Sequence, residues 1–221
     1  MAMPVGTSPT AMQKVVHPEG EIGSAKAAQE AGVVFTLSCL ATTSLEEVAA
    51  ATPSSPKWFQ LYIYVDRCLT WEDIKWLVKE TRLPVLAKGI LRVDDAIRAV
   101  ECGCQGIIVS NHGGRQLDSV PPTIEVLPRI AAAVGDKVCV IVDGGIRQGT
   151  DVFKAIALGA KMVLIGRPII WGLTVGGQNG VADVLKIIQT EFDVAMAVSG
   201  CSKLSDITPD LISFDGPGSK L

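Results

Sequence analysis

The chain has 221 residues, 20 Lys and Arg against 23 Asp and Glu, a formal net charge of −3 and 48% hydrophobic residues. That apolar content, with only 19% of residues charged, excludes intrinsic disorder, and the mild acidity provides no electrostatic footprint for nucleic acid. No apolar run reaches the roughly 18 residues of a membrane span.

In chain order, strand-length apolar runs occur at Met3–Gly6, Val33–Ser38, Trp58–Tyr64, Pro84–Ile90, Gly106–Asn111, Val138–Asp143 and Met162–Gly166. Several are apolar almost without interruption, as in Gly106-Ile107-Ile108-Val109, which predicts parallel strands covered on both faces. The intervening segments read as helices. Ser44-Leu45-Glu46-Glu47 and Thr70-Trp71-Glu72-Asp73 have capping-box form, in which a hydroxyl and a carboxylate satisfy free N–H groups. Trp71, Ile74, Leu77 and Val78 predict one apolar helix stripe, and Val152, Phe153, Ile156 and Ala157 another. A long last helix is expected through Val181, Leu185, Ile188, Phe192 and Met196, stopping near Gly200. Repeated β-then-α units imply right-handed crossovers and a parallel sheet. The six cysteines (Cys39, Cys68, Cys102, Cys104, Cys139 and Cys201) lack the paired spacing of a metal site and read as reduced thiols, most of them buried. No metal is expected.

The strand ends choose between a doubly wound sheet and a barrel. Polar, glycine-rich sequences follow strand after strand: Lys88-Gly89, then Ser110-Asn111-His112-Gly113-Gly114-Arg115, then Asp143-Gly144-Gly145-Ile146-Arg147, then Gly166-Arg167-Pro168. In a (β/α) barrel all of these converge on one mouth, whereas a doubly wound sheet gathers its loops at one switch point. The last two loops suit an anion, because glycines turn N–H groups toward it and Arg147 and Arg167 donate in a fork. His112 and Arg115 place an imidazole and a guanidinium in one short loop, a pairing suited to removing a proton from a carboxylate-bearing substrate. Lys88, at a strand end, faces developing negative charge or a carbonyl. Gln60, Tyr62 and Tyr64 alternate onto one strand face, where they can line a pocket. His17 reads as a structural turn residue. The terminal Ser219-Lys220-Leu221 reads as a peroxisomal address taken by an import receptor.

Taken together, Pro9-Thr10-Ala11-Met12-Gln13-Lys14, His17-Pro18-Glu19-Gly20, Phe59-Gln60-Leu61-Tyr62, Ala87-Lys88-Gly89, the block Val109 to Asp118, Asp143 to Arg147 and Gly166-Arg167-Pro168 resemble the FMN-dependent 2-hydroxy acid oxidase family, which includes glycolate oxidases. The resemblance implies a TIM-type (β/α)8 barrel, an FMN cofactor, and oxidation of an (S)-2-hydroxy acid to a 2-oxo acid with O2 reduced to peroxide. It implies flavin contacts from Thr10, Ala11, Ser38, Gln60 and Lys88. Ser110, Asp143, Gly144, Gly145, Arg147, Gly166 and Arg167 would hold the ribityl chain and phosphate. His112 would be the base, Arg115 the carboxylate anchor, and Tyr62 a hydrogen-bond partner at the reacting end. Lys88 would stabilise reduced flavin, and Leu40 would leave room for longer substrates. Family likeness also implies a tetramer.

The departures from the family pattern are as informative. Members carry an N-terminal helical segment with an active-site tyrosine. Between the third strand and the Trp71 helix they carry a further helix, strand and lid loop, with a second substrate arginine. Here Asp66-Arg67 runs through Cys68-Leu69 straight into Thr70. The chain therefore reads as a single, internally shortened barrel domain over residues 1–221 with about seven of eight strands, the fourth unit being absent. Either the ring closes on seven strands or a gap stays open, and both would weaken FMN binding and turnover. The alternatives are a truncated FMN-binding product with little activity, and a flavin-free barrel enzyme that binds a phosphate group.

Overall fold

In the computed structural model, residues 2–62 and 69–213 are described; the candidate residue Tyr64, Cys68 and the terminal Ser219-Lys220-Leu221 lie outside them. Among the described residues, seven strands alternate with seven α-helices. The strands are β1 (Val5–Thr7), β2 (Phe35–Ser38), β3 (Lys57–Gln60), β4 (Leu86–Ile90), β5 (Gly106–Val109), β6 (Cys139–Asp143) and β7 (Met162–Ile165). The helices are α1 (Gly20–Glu30), α2 (Leu45–Ala51), α3 (Trp71–Glu80), α4 (Val93–Glu101), α5 (Thr123–Val134), α6 (Gly149–Ala157) and α7 (Arg167–Val198). The expected capping boxes both form, Ser44 with Glu47 at α2 and Thr70 with Asp73 at α3.

All strand pairs are parallel, in two sheets of order β1-β7-β6-β5-β4 and β2-β3. A bridge between Gly6 and Val34, with the Thr7 N–H donating to the Val34 carbonyl at 2.9 Å, joins the two sheets. A Cβ on Gly6 would stand 3.0 Å from a Leu164 methyl and 3.2 Å from the Val34 oxygen, so glycine is what allows this approach. The first strand thus meets both the second and the last. That is ring closure around a barrel, and it excludes a doubly wound sheet, whose strand order reverses. The ring is interrupted in the middle of the chain: among the described residues β3 and β4 do not pair, leaving an open seam where the sequence is short of a unit.

Two apolar layers follow from the two-residue alternation of the strands. Ile108, Ile141, Met162 and Leu164 point inward and pack with Trp58 of β3 and Leu86 of β4, so the filling of the barrel reaches both sides of the seam. Outward residues such as Phe35, Ile107, Val142 and Ile165 pack under the helices in the larger cluster.

Two expectations need correction, and a third is extended. The third strand stops at Gln60, so Tyr62 lies beyond the sheet and is not held there by strand alternation with Gln60. The last helix forms with Val181, Leu185, Ile188 and Phe192 buried, but a further helical stretch from Arg167, directly after β7, precedes it across a break at Gly176 and Gly177, where Gly177 has φ +56°. The stripe of α3 has no fully buried residue, since the face it would cover lies beside the seam. Among the thiols, Cys102, Cys104 and Cys201 are buried, whereas Cys139 at the start of β6 is exposed.

The difference in packing can be measured. Leu164 is fully buried inside the barrel, and Leu164→Ala should cost about 2–5 kcal/mol of stability. Leu77→Ala on the half-buried face of α3 should cost less than half of that. Urea unfolding of both variants is the check, and equal losses would show that α3 is packed as tightly as the interior.

Candidate active site

Every strand delivers its C-terminal end to the same mouth. β4 carries Lys88, and the register with β5 shifts between Lys88 and Ile90, where Gly89 takes φ +100°. Such a bulge re-aims the side chain beside it. The Lys88 ammonium donates to the Ser110 hydroxyl at 2.9 Å and pairs with Asp143 Oδ2 at 3.1 Å. The same Asp143 oxygen accepts from the Ser8 hydroxyl at 3.3 Å. Four of the strand ends therefore meet on one carboxylate and one ammonium.

Ser110 also accepts from the His112 N–H at 3.1 Å, fixing the start of the next loop. His112 sits at φ +55°, in the left-handed region that a residue with a side chain seldom takes. That turn brings the imidazole Nε2 to 3.4 Å from the Tyr62 hydroxyl, across the open seam. Burial, then the nearby positive charges of Lys88 and Arg115, lowers the His112 pKa against the opposing pull of Asp143. Neutral imidazole is therefore the resting form near pH 7. Arg115 is exposed in the same loop, its N–H donating to the His112 carbonyl at 3.3 Å.

Next to this cluster, Ser38 ends β2 and donates to Gln60 Oε1 at 3.0 Å, the pair standing opposite each other in register. The Leu40 N–H donates to Ser38 Oγ at 3.2 Å, and the Leu40 side chain is exposed at the mouth. Thr10 donates to the Ser8 carbonyl, and Ala11 is half-buried beside it.

The phosphate-type loops divide into packing and open positions. A Cβ on Gly144 would meet Asn111 Oδ1 at 3.2 Å and Thr123 Oγ1 at 3.3 Å, so a side chain at this position would be crowded. At Gly145, with φ +81°, a Cβ would meet nothing within 4 Å, so the backbone there stands in open space. Arg167 donates to the Gly113 carbonyl at 2.8 Å, which ties the β7 end to the His112 loop while its other donors stay available. Arg147 is exposed, with its N–H on Asp151 at 2.9 Å. Gly166, the residue before α7, faces Ser8.

Sequence reasoning missed Ser8 and Thr123. Thr123 donates to the Asp143 carbonyl at 2.7 Å and holds the Asp143-Gly144 turn. Neither has a local signal, because each is defined by a partner far along the chain.

The FMN implied by the sequence motifs can be tested against this geometry. Asp143 Oδ1 is buried with no hydrogen-bond partner, an acceptor on the same carboxylate whose Oδ2 meets Lys88 and Ser8. A ribityl hydroxyl is a donor of the right kind for it. The ammonium of Lys88, the open Gly145 and two arginines complete a donor set for a flavin and its phosphate. The residues fit the group.

Comparison with known proteins agrees with this geometry. The FMN-dependent dehydrogenase family profile matches residues 1–70 and 63–214, two stretches that overlap between β3 and α3 in the sequence. Human 2-hydroxyacid oxidase 1 is 41% identical over 290 aligned positions, covering 96% of this chain and 78% of the relative. An L-lactate oxidase of Nostoc is 40% identical, covering 94% of this chain and 78% of its own. These alignments are longer than the 221-residue chain, so the relatives contain positions that it lacks. A solved mandelate oxidase mutant with a monooxide FMN adduct superposes with a TM-score of 0.89 at 41% identity, over 93% of this chain and 77% of that one. With the barrel order, the mouth cluster and these matches in agreement, the chain belongs to the FMN-dependent dehydrogenase family.

Proposed function

We propose that the chain binds FMN at this mouth and oxidises (S)-2-hydroxy acids to 2-oxo acids, with O2 as the electron acceptor and hydrogen peroxide as its product. The observation that carries the reading is the Tyr62–His112–Ser110–Lys88–Asp143 chain of contacts, which combines a neutral base with a half-buried cation in one mouth. FMN supplies the two-electron acceptor when bound. His112 takes the proton released as the hydroxy acid is oxidised, and Tyr62 orients the imidazole and the substrate oxygen. Arg115 pairs with the substrate carboxylate as a forked donor. Lys88 places positive charge where reduction builds negative charge. Thr10, Ala11, Ser38 and Gln60 line the ring, while Ser110, Asp143, Gly144, Gly145, Gly166, Arg147 and Arg167 hold the ribityl chain and phosphate. Exposed Leu40 leaves the substrate end open to chains longer than glycolate.

The open seam favours a second reading of the same site, an FMN-binding product with weak turnover. Two unpaired strand edges at β3 and β4 leave the mouth less firmly held, and displacement of reacting groups by ~1 Å can cost ~100-fold in rate. Titrating the purified chain with FMN and assaying peroxide from glycolate and longer 2-hydroxy acids distinguishes the two. We expect visible flavin absorption that is partly lost on gel filtration, with slow peroxide release. No spectral change with excess FMN would overturn the flavin reading. Ser219-Lys220-Leu221 supports peroxisomal import as part of this proposal, and its deletion from a fluorescent fusion should return the protein to the cytosol.

The roles of the loop residues separate experimentally. His112→Ala should keep FMN affinity and lose turnover by ~10²–10⁴-fold, the usual contribution of a general base. Because the His112 pKa is lowered, the base is competent above it, and kcat/KM should fall only as pH drops below the ordinary imidazole value of about 6.5. A decline already beginning near pH 7.5 would contradict a lowered pKa. Arg115→Lys should raise KM for the hydroxy acid by losing the fork, whereas Arg147→Ala should weaken FMN retention. Exchanged phenotypes would refute both assignments.

A further inference from the structure

None of the roles above uses Glu21, whose carboxylate lies in the first turn of α1 and is fully buried. A buried carboxylate needs compensation, and none of the ion pairs among the described residues involves it. Its charge is met by four donors instead. Oε1 accepts from the N–H groups of Gln13 at 3.0 Å and Thr42 at 2.9 Å. Oε2 accepts from the hydroxyls of Thr42 at 2.7 Å and Thr43 at 2.9 Å. Burial alone would push its pKa up, but the hydrogen bonds from Thr42 and Gln13 outweigh it and hold the group ionised.

These donors belong to two different mouth loops, one after β1 and one after β2. Gln13 is itself buried; it accepts from the Ser24 hydroxyl at 2.7 Å and donates to the Thr10 carbonyl at 3.3 Å. The Met12 N–H reaches across to the Leu40 carbonyl at 3.2 Å, and Leu40 continues to Ser38 and Gln60. The network thus starts at one carboxylate and ends on residues assigned to the flavin ring and the substrate end.

We propose that Glu21 is a positioning residue that clamps the Thr10–Gln13 and Ser38–Thr43 loops to the start of α1 and so sets where Thr10, Ser38 and Leu40 stand around the flavin. The proposal rests on the FMN reading above. Glu21→Gln preserves the clamp, because the amide oxygen accepts from both N–H groups and the amide nitrogen donates to hydroxyls that can rotate to accept. Thr42→Val removes one hydroxyl donor at an exposed position, where folding is not endangered.

Hydrogen–deuterium exchange of the FMN-free chains, together with FMN titration followed by flavin absorption and fluorescence, tests this. Thr42→Val, which also removes the acceptor of the Lys14 N–H, should lower the melting temperature by only a few degrees while exchange speeds up in both loops. FMN should bind about tenfold more weakly, as loss of a hydrogen bond to a charged group would give, with a shifted flavin band. Glu21→Gln should match the parent in exchange and in FMN affinity. Unchanged exchange in Thr42→Val overturns the clamp whatever FMN does. Faster exchange with unchanged FMN affinity and spectrum overturns its role toward the flavin, and an equal loss in Glu21→Gln assigns the effect to charge and overturns the geometric clamp. A parent chain that binds no FMN instead overturns the flavin reading itself, and the proposal with it.

Discussion

The Lys88–Asp143 pair is the interaction on which the mouth is built. Taking an ammonium and a carboxylate out of water costs several kcal/mol per ion, and their attraction repays it only when further hydrogen bonds fill the remaining positions. Here Ser110 and Ser8 supply such bonds, so the pair draws β4, β5, β6 and the end of β1 into one polar centre. The arrangement also leaves Asp143 Oδ1 buried and unpartnered, a residual demand that a flavin hydroxyl would meet. One ion pair therefore holds four strand ends together and, on the proposed reading, stands where the cofactor would bind.

From that centre the chemistry spreads through the loops. Ser110 fixes the strained turn at His112, the turn carries the imidazole to Tyr62, and Arg167 ties the next strand end to Gly113. On the far side of the mouth, Glu21 does for the β1 and β2 loops what Asp143 does for the others, with neutral donors in place of a cation. Two buried carboxylates thus organise the two halves of the ring.

The seam between β3 and β4 shows how such a site can persist in an interrupted barrel. Each remaining strand is held by its parallel neighbour and by its covering helices, and the inner cluster contains Trp58 and Leu86 from opposite sides of the gap. The consequence falls on α3 and on the exposed Phe59, Leu61 and Trp76, which lack the burial that a continuous ring would provide. The interruption thus reduces packing at one flank while the strand ends that carry Lys88, His112 and Asp143 stay in mutual contact.

Much of this was legible in the order of residues. Apolar runs alternating with amphipathic stretches specify strands and helices because both periodicities are local, and the capping boxes at Ser44 and Thr70 act within four residues. The motifs around Lys88, His112 and Asp143 were recognisable because each is a contiguous strand-end loop. What the tertiary structure alone decided are the relations between distant residues. Ser8 and Asp143 are 135 positions apart, Tyr62 and His112 50, and Thr43 and Glu21 22, so no local pattern announces their contacts. The same holds for the half-burial of α3 and the crowding around Gly144, since each depends on what packs nearby in space. Local hydrogen bonding and side-chain periodicity are written along the chain, whereas the compensation of buried charge is settled only when the strands close into a ring.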